Sequence, residues 1–176
     1  KESCNKDLDV VFNNLDDSKN INPLIDKSDI LIHFTRSELI TDNDSLNMYL
    51  RNTYNLLFSA IQKGIKKIIF ISDLDIFNYY PDNYIITENW NPKPRTKILD
   101  LSSYLSEFIV KEYARSFPVK VINLRIPEFF DQENQYKNEE IYITFDDYFK
   151  IISHAIEHNT YRDYEIIHAH SNISNL

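Results

Sequence analysis

Short apolar runs alternate along this chain with longer stretches whose apolar residues recur at spacings of three and four. Asp9-Val10-Val11-Phe12 reads as a strand closed by a polar turn, Asn13-Asn14-Leu15-Asp16-Asp17-Ser18. A short helical stretch is expected around 22–27. Asp29-Ile30-Leu31-Ile32-His33-Phe34 then has the continuous β-branched character of a strand buried on both faces. Over 45–63, Leu46, Leu50, Thr53, Leu57, Ala60 and Ile61 mark one face of an amphipathic helix, and Gly64 stands where a C-cap belongs. Lys67-Ile68-Ile69-Phe70-Ile71-Ser72 follows as a second buried strand. Leu101, Tyr104, Leu105, Phe108 and Val110 are expected on the buried face of the next amphipathic helix, and Val119-Lys120-Val121-Ile122-Asn123-Leu124-Arg125 forms the next strand. Asp146-Asp147 open a helix through Phe149, Ile152, Ala155 and Ile156, their charge suited to its positive N-terminus. A last strand is expected over 164–169.

This alternation defines an α/β chain: a Rossmann-like, mainly parallel sheet with helices on both faces and right-handed crossovers. No internal domain boundary is visible, so 1–176 reads as one domain. Ligands of such sheets bind beyond the carboxyl ends of the strands. That places 34–36, 72–78 and 126–130 on one rim. The connection 73–97, with Pro81, Pro92 and Pro94, is long for a compact domain and lies where a ligand would sit.

Composition narrows the function classes. The net charge of -8 opposes nucleic-acid and membrane-surface binding. No apolar run reaches the ~20 residues of a bilayer span, so a soluble, cytoplasmic protein is expected. Cys4 is the only cysteine, which excludes an intrachain disulfide. The chain opens at Lys1 without an initiator Met or signal pattern, as a segment of a longer or processed product does. Its single glycine, Gly64, leaves no glycine-rich phosphate loop.

The order of several segments resembles the extended short-chain dehydrogenase/reductase family, the NAD-dependent epimerases and dehydratases that act on nucleotide sugars. The carrying segments are Asn14-Leu15-Asp16-Asp17, Asp29 to His33, Asn55 to Ala60 running on through Gly64 to Ser72, Glu88 with Pro92 and Pro94, Glu107 to Ala114, and Leu124-Arg125. The resemblance implies a first strand, a glycine-rich turn and a helix ahead of Val10, a unit missing from this chain. A sheet without its central strand exposes unpaired backbone, so an upstream segment or a partner is expected to supply it. NAD or NADP is expected only with an upstream glycine-rich segment; for this chain alone, no cofactor is expected.

The family's Tyr-x-x-x-Lys pair falls, without gaps, on Leu99 and Ser103. Its Ser/Thr falls on Asp73 and its helix-borne Asn on Tyr49. Leucine cannot titrate, and losing a proton-transfer group costs about 10²–10⁴-fold in rate. Candidate replacement acid-base groups are Asp73 and Tyr104. For cofactor contacts the resemblance leaves Asn14 at the adenine position, Thr35 and Arg36 in the turn after the next strand, and Ser72 on the far rim. Glu128 adds a carboxylate near the nicotinamide turn.

Other constellations are less specific. His154 and His158 stand four apart and His168 and His170 two apart, but no Cys or acidic ligand completes either pair, so no metal site is expected. Asp73, Asp75 and Glu128 are candidates to converge on the rim. Phe77, Tyr79, Tyr80, Tyr84 and Trp90 suit a stacked ring ligand or, by a small margin, a protein partner. Two functions are thereby expected in order: a catalytically degenerate nucleotide-sugar epimerase/dehydratase-like binding or structural subunit, or an active enzyme with relocated acid-base residues. A nucleotide-sugar ligand and a homodimer or protein partner, met through the helix over 99–116 and the one before it, accompany the first.

Overall fold

The computed structural model describes residues 15, 17–35, 40–81, 83–129 and 141–171. The expected strand at Asp9–Phe12 lies outside them. Helix α1 spans Ser18–Ile25 rather than 22–27, because Asp17 acts as its N-cap and accepts from the Lys19 N–H at 2.9 Å. Asp17 belongs to the polar cluster that reads as a turn from sequence. Strand β1 is Ile30–Phe34. Helix α2, Asn43–Gln62, begins two residues before the expected start. Asp42 and Ser45 form a reciprocal cap there, the Ser45 N–H donating to Asp42 at 2.7 Å and the Asp42 N–H to Ser45 Oγ at 3.0 Å. Gly64 closes the same helix at φ +84°, a conformation that disfavours residues with a Cβ.

Strand β2 is Lys67–Asp73, followed by a 3-10 turn at Leu74–Phe77. Helix α3 is Ile98–Ser116, β3 Lys120–Ile126, α4 Phe145–Glu157 and β4 Tyr164–His168. The four strands form one parallel sheet in the order β1-β2-β3-β4.

Alternation along the strands divides the core in two. Ile68, Phe70 and Val121 point to one face, where α1, α2 and α3 pack through Ile21, Ile25, Leu57, Ala60 and Val110. Ile69, Ile71, Ile122 and Leu124 point to the other, where α4 packs through Ile151, Ile152 and Ala155. The chain steps across the sheet in one direction throughout. Crossing by the opposite face therefore gives the β3-to-β4 connection the opposite hand to the first two, against the expectation of right-handed crossovers throughout. Phe129, after β3, bridges to Ile143, just ahead of α4, and its ring lies 6.2 Å from that of Phe34.

Among the described residues β1 pairs only with β2. The Thr35 N–H donates to Ile71 O at 3.0 Å, so by alternation the backbone groups of Ile30, Ile32 and Phe34 point out from the sheet. Ile32 and Phe34 are 43% and 38% exposed. No helix among the described residues is long and apolar enough to cross a membrane.

Leu57 is fully buried where α1, α2 and the sheet meet. Leu57→Ala is expected to lower unfolding free energy by about 2–5 kcal/mol in urea titrations. A loss under about 1 kcal/mol would contradict this packing.

Candidate functional site

The carboxyl ends of the strands form the rim. Ser72, Arg125 and His168 lie side by side across β2, β3 and β4. Arg125 is 3% exposed, and its burial is made possible by Glu107 on α3, itself 5% exposed. Arg125 Nε and Nη2 donate to the two Glu107 oxygens at 2.9 and 2.7 Å, the forked geometry that compensates two buried charges. The guanidinium also lies 5.1 Å from the Phe77 ring centroid, and its Nη1 is 3.4 Å from His168 Nε2. Phe77 and His168 meet edge to face at 5.5 Å.

The long connection is fastened to this cluster. Glu88 accepts from the His168 backbone N–H at 3.1 Å, and the Lys93 N–H donates to Ile76 O at 2.9 Å. Arg95 donates twice to Asn78 O. Tyr80 and Trp90 pack edge to face at 5.0 Å, Tyr84 lies 5.7 Å from Trp90, and Lys93 sits over Tyr80. Most of the expected aromatic platform is thus spent folding the connection on itself; Tyr79 remains 70% exposed.

Between β1, α2 and α3 runs a polar seam. His33 Nε2 is 3.1 Å from Thr53 Oγ1, and its ring lies against Tyr49 and Phe70. Burial lowers its pKa to about 4, so the imidazole is neutral at pH 7. The Tyr49 hydroxyl faces Thr53, Ser106 and Thr35, and burial pushes its pKa up to about 12. Among the described residues it makes no close hydrogen bond, nor does Thr35 Oγ1 or Ser72 Oγ.

Leu99 lies in the first turn of α3, 39% exposed, and Ser103 one turn on, 2% exposed. Asp73 is 7% exposed, and its carboxylate accepts from the Asp75 N–H at 2.9 Å, capping the 3-10 turn. The contact joins the Asp73 carboxylate to the Asp75 backbone and not to its carboxylate, and Glu128 lies past the end of β3, its carbonyl accepting from the Ile143 N–H. Tyr104 is half-buried on α3, on the flank with Leu101, Leu105 and Phe108. Thr35 and Ser72 are buried at the ends of β1 and β2, and Asn14 and Arg36 lie outside the described residues. Asp100, also buried, has its carboxyl pKa raised by burial and by the charge of Asp75.

The histidine pairs do not converge: His154 Nδ1 meets Lys150 O, while His158 Nε2 meets Glu165 at 3.0 Å. Among the described residues no three His, Cys, Asp or Glu side chains are arranged to hold a metal ion. The Glu107–Arg125 fork was not anticipated from sequence as an ion pair. Apolar periodicity points to the wrong flank: of the residues expected to be buried on α3, Val110 is, but Leu101, Tyr104 and Leu105 are only partly buried and Phe108 is 61% exposed, whereas the buried stripe runs through Ser103, Glu107, Val110 and Ala114.

No family model and no curated protein matches the sequence. Solved structures share the fold. A glucuronic acid dehydrogenase from Chromohalobacter salexigens superposes with a TM-score of 0.85 at 19% identity, covering 98% of this chain and 65% of that one. A uronate dehydrogenase from Agrobacterium tumefaciens gives 0.81 at 18% identity, covering 94% and 65%. A UDP-N-acetylglucosamine 4-epimerase from Bacillus cereus gives 0.69 at 16% identity, covering 89% and 63%. A variant of the Agrobacterium enzyme was solved with NAD, and RMD from Pseudomonas aeruginosa with NADPH. At these identities the likeness is one of fold, and this chain spans under two thirds of each of the three neighbours' lengths.

His33 makes stability depend on pH. Its folded-state pKa of about 4 lies below the ordinary 6.5, so only the unfolded state takes up a proton between those values. Stability is full above pH 6.5 and falls by up to about 3 kcal/mol toward pH 4. Urea unfolding at pH 7 and 4.5 is expected to give a smaller difference in His33→Phe than in the parent. Equal differences would contradict the assignment.

Proposed function

We propose that this chain is a catalytically degenerate relative of the nucleotide-sugar epimerases and dehydratases of the extended short-chain dehydrogenase/reductase group, acting as a binding or structural subunit. The observation that carries the reading is Leu99 with Ser103. The resemblance aligns them with the family's tyrosine and lysine, and neither side chain can transfer a proton at neutral pH. The elements around them are held in place, with α3 locked to β3 by the Glu107–Arg125 fork.

The relocated acid-base candidates are poorly placed. The Asp73 carboxylate holds the turn after β2 and is nearly buried, and Tyr104 stands on the flank of α3 with Phe108. Tyr49, on the Asn position, keeps its proton well beyond neutral pH.

The residues present do not fit a dinucleotide cradle. Pyrophosphate binding in this fold relies on a glycine-rich turn at a helix N-terminus on the rim. The only glycine, Gly64, instead caps α2 ahead of β2, at the opposite end of the sheet. Thr35 and Ser72 remain as polar groups on the rim, with Arg36 and Asn14 adjacent in sequence to the described residues.

Two surfaces suit a partner subunit. The outer side of α2 and α3 carries Met48, Phe58 and Phe108, 57%, 42% and 61% exposed. The outward backbone groups of β1 suit an added strand, the role expected of an upstream segment or partner.

Hydrogen bonds from Thr35, Ser72 and their neighbours, each worth about 0.5–1.5 kcal/mol net, do not offset the immobilisation of a dinucleotide. Calorimetry on residues 1–176 is therefore expected to find no NAD(H) or NADP(H) site tighter than about millimolar, near -4 kcal/mol. A nucleotide-sugar panel with either cofactor is expected to show no turnover. A micromolar dinucleotide site, or turnover abolished by Asp73→Ala or Tyr104→Phe, would overturn this reading in favour of an active enzyme.

A further inference from the structure

The polar seam between β1, α2 and α3 holds more hydrogen-bonding groups than its own contacts use. Thr35 is wholly buried and follows β1, its N–H donating to Ile71 O at 3.0 Å, so it continues the ladder beside Ser72 at the end of β2. Alternation turns Thr35 and Ser72 the same way as His33 and Phe70, toward the face that α2 and α3 cover. There the Tyr49 hydroxyl of α2 faces Thr53, Ser106 and Thr35. Tyr49 Oη, Thr35 Oγ1 and Ser72 Oγ are all buried, and among the described residues none makes a close hydrogen bond. Buried hydroxyls left in that condition are rare, because nothing replaces the water they give up on folding.

We infer that an internal water molecule occupies this seam and joins Tyr49 of α2 to Thr35 after β1 and to Ser106 of α3. The count of donors and acceptors fits that one guest. Tyr49 and Thr35 each carry an O–H in need of an acceptor. Ser106 already donates its proton to Ser102 O at 2.6 Å, so toward the seam it can only accept. Thr53 Oγ1 meets His33 Nε2 at 3.1 Å and keeps a lone pair in either imidazole tautomer. A water accepts from the first two and donates to the second two, which uses all four of its hydrogen-bonding directions.

Enclosure rules out a larger guest. The hydroxyls have no contact with solvent, so a sugar or a nucleotide has no path to them. The α3 side is buried through Ser102, Ser103 and Ser106, small side chains that leave space where leucine would fill it. Three converging hydroxyls also make the seam a poor host for an apolar guest. The consequence for the rim is direct: Thr35 is turned inward, engaged by the water, and withheld from any ligand above the strand ends. The inference goes beyond the proposed function and does not rest on it, since an enzyme and a binding subunit could hold the same water.

Oxygen-17 relaxation dispersion counts waters held inside a protein for longer than the protein takes to tumble. It should be measured on the parent chain, Thr35→Val, Tyr49→Phe and the double variant, beside urea unfolding of all four. Both substitutions keep the side-chain shape and remove a hydroxyl. Each single variant is expected to raise the unfolding constant about three- to tenfold, the worth of one net hydrogen bond. The double variant is expected to fall well short of the product of the two, because both hydroxyls bind the same water, and to lose the relaxation amplitude of that water. Hydroxyls with no guest would give the opposite sign, an unfolding constant unchanged or lowered in the single variants. A direct bond between Tyr49 and Thr35 would reproduce the coupling but leave the relaxation amplitude of the double variant equal to that of the parent. Either result, or single effects that multiply in full, would overturn the inference.

Discussion

The structure around the rim depends on two opposite charges placed where water does not reach them. Arg125 sits at an inward position of β3, and Glu107 is the buried carboxylate paired with it there. Removing either partner leaves an uncompensated buried charge, at a cost of about 3–5 kcal/mol. The pair thereby fixes the rotation of α3 against β3. It also offers Phe77 a cation to cover and His168 a donor to meet, and these two hold the start and the middle of the long connection. The geometry of the rim follows from this one fork more than from any hydroxyl or carboxylate along it.

Leu99 and Ser103, which the resemblance aligns with the family's tyrosine and lysine, stand outside that pair. Leu99 lies at the open end of α3 and Ser103 fills a small buried space. Neither takes part in the fork, one turn further along the same helix.

The fold was largely legible in the chain. Continuous apolar runs at 29–34, 67–72 and 119–125 became parallel strands with ends shifted by one residue; β2 and β3 are covered on both faces as such runs imply, whereas β1, expected to be buried on both faces, leaves Ile32 and Phe34 exposed among the described residues. The short helix before β1 was misplaced because its start depends on one capping carboxylate inside a turn-like cluster. The hand of the last crossover was not legible at all: apolar periodicity shows that α4 covers a face but not which one. Of the rim, the ends of the strands were placed correctly. The Glu107–Arg125 fork and the Glu88 anchor were not, because contacts across 18 and 80 residues leave no local periodic trace.

The most direct measurement is a double-mutant cycle across the fork, using Glu107→Leu, Arg125→Met and the double variant, with urea unfolding as the readout. If the pair is the constraint on which the rim depends, each single variant loses about 3–5 kcal/mol, and the double variant loses no more than either because no lone charge remains buried. Single losses that add to within about 0.5 kcal/mol would show the two residues to be independent and contradict the account.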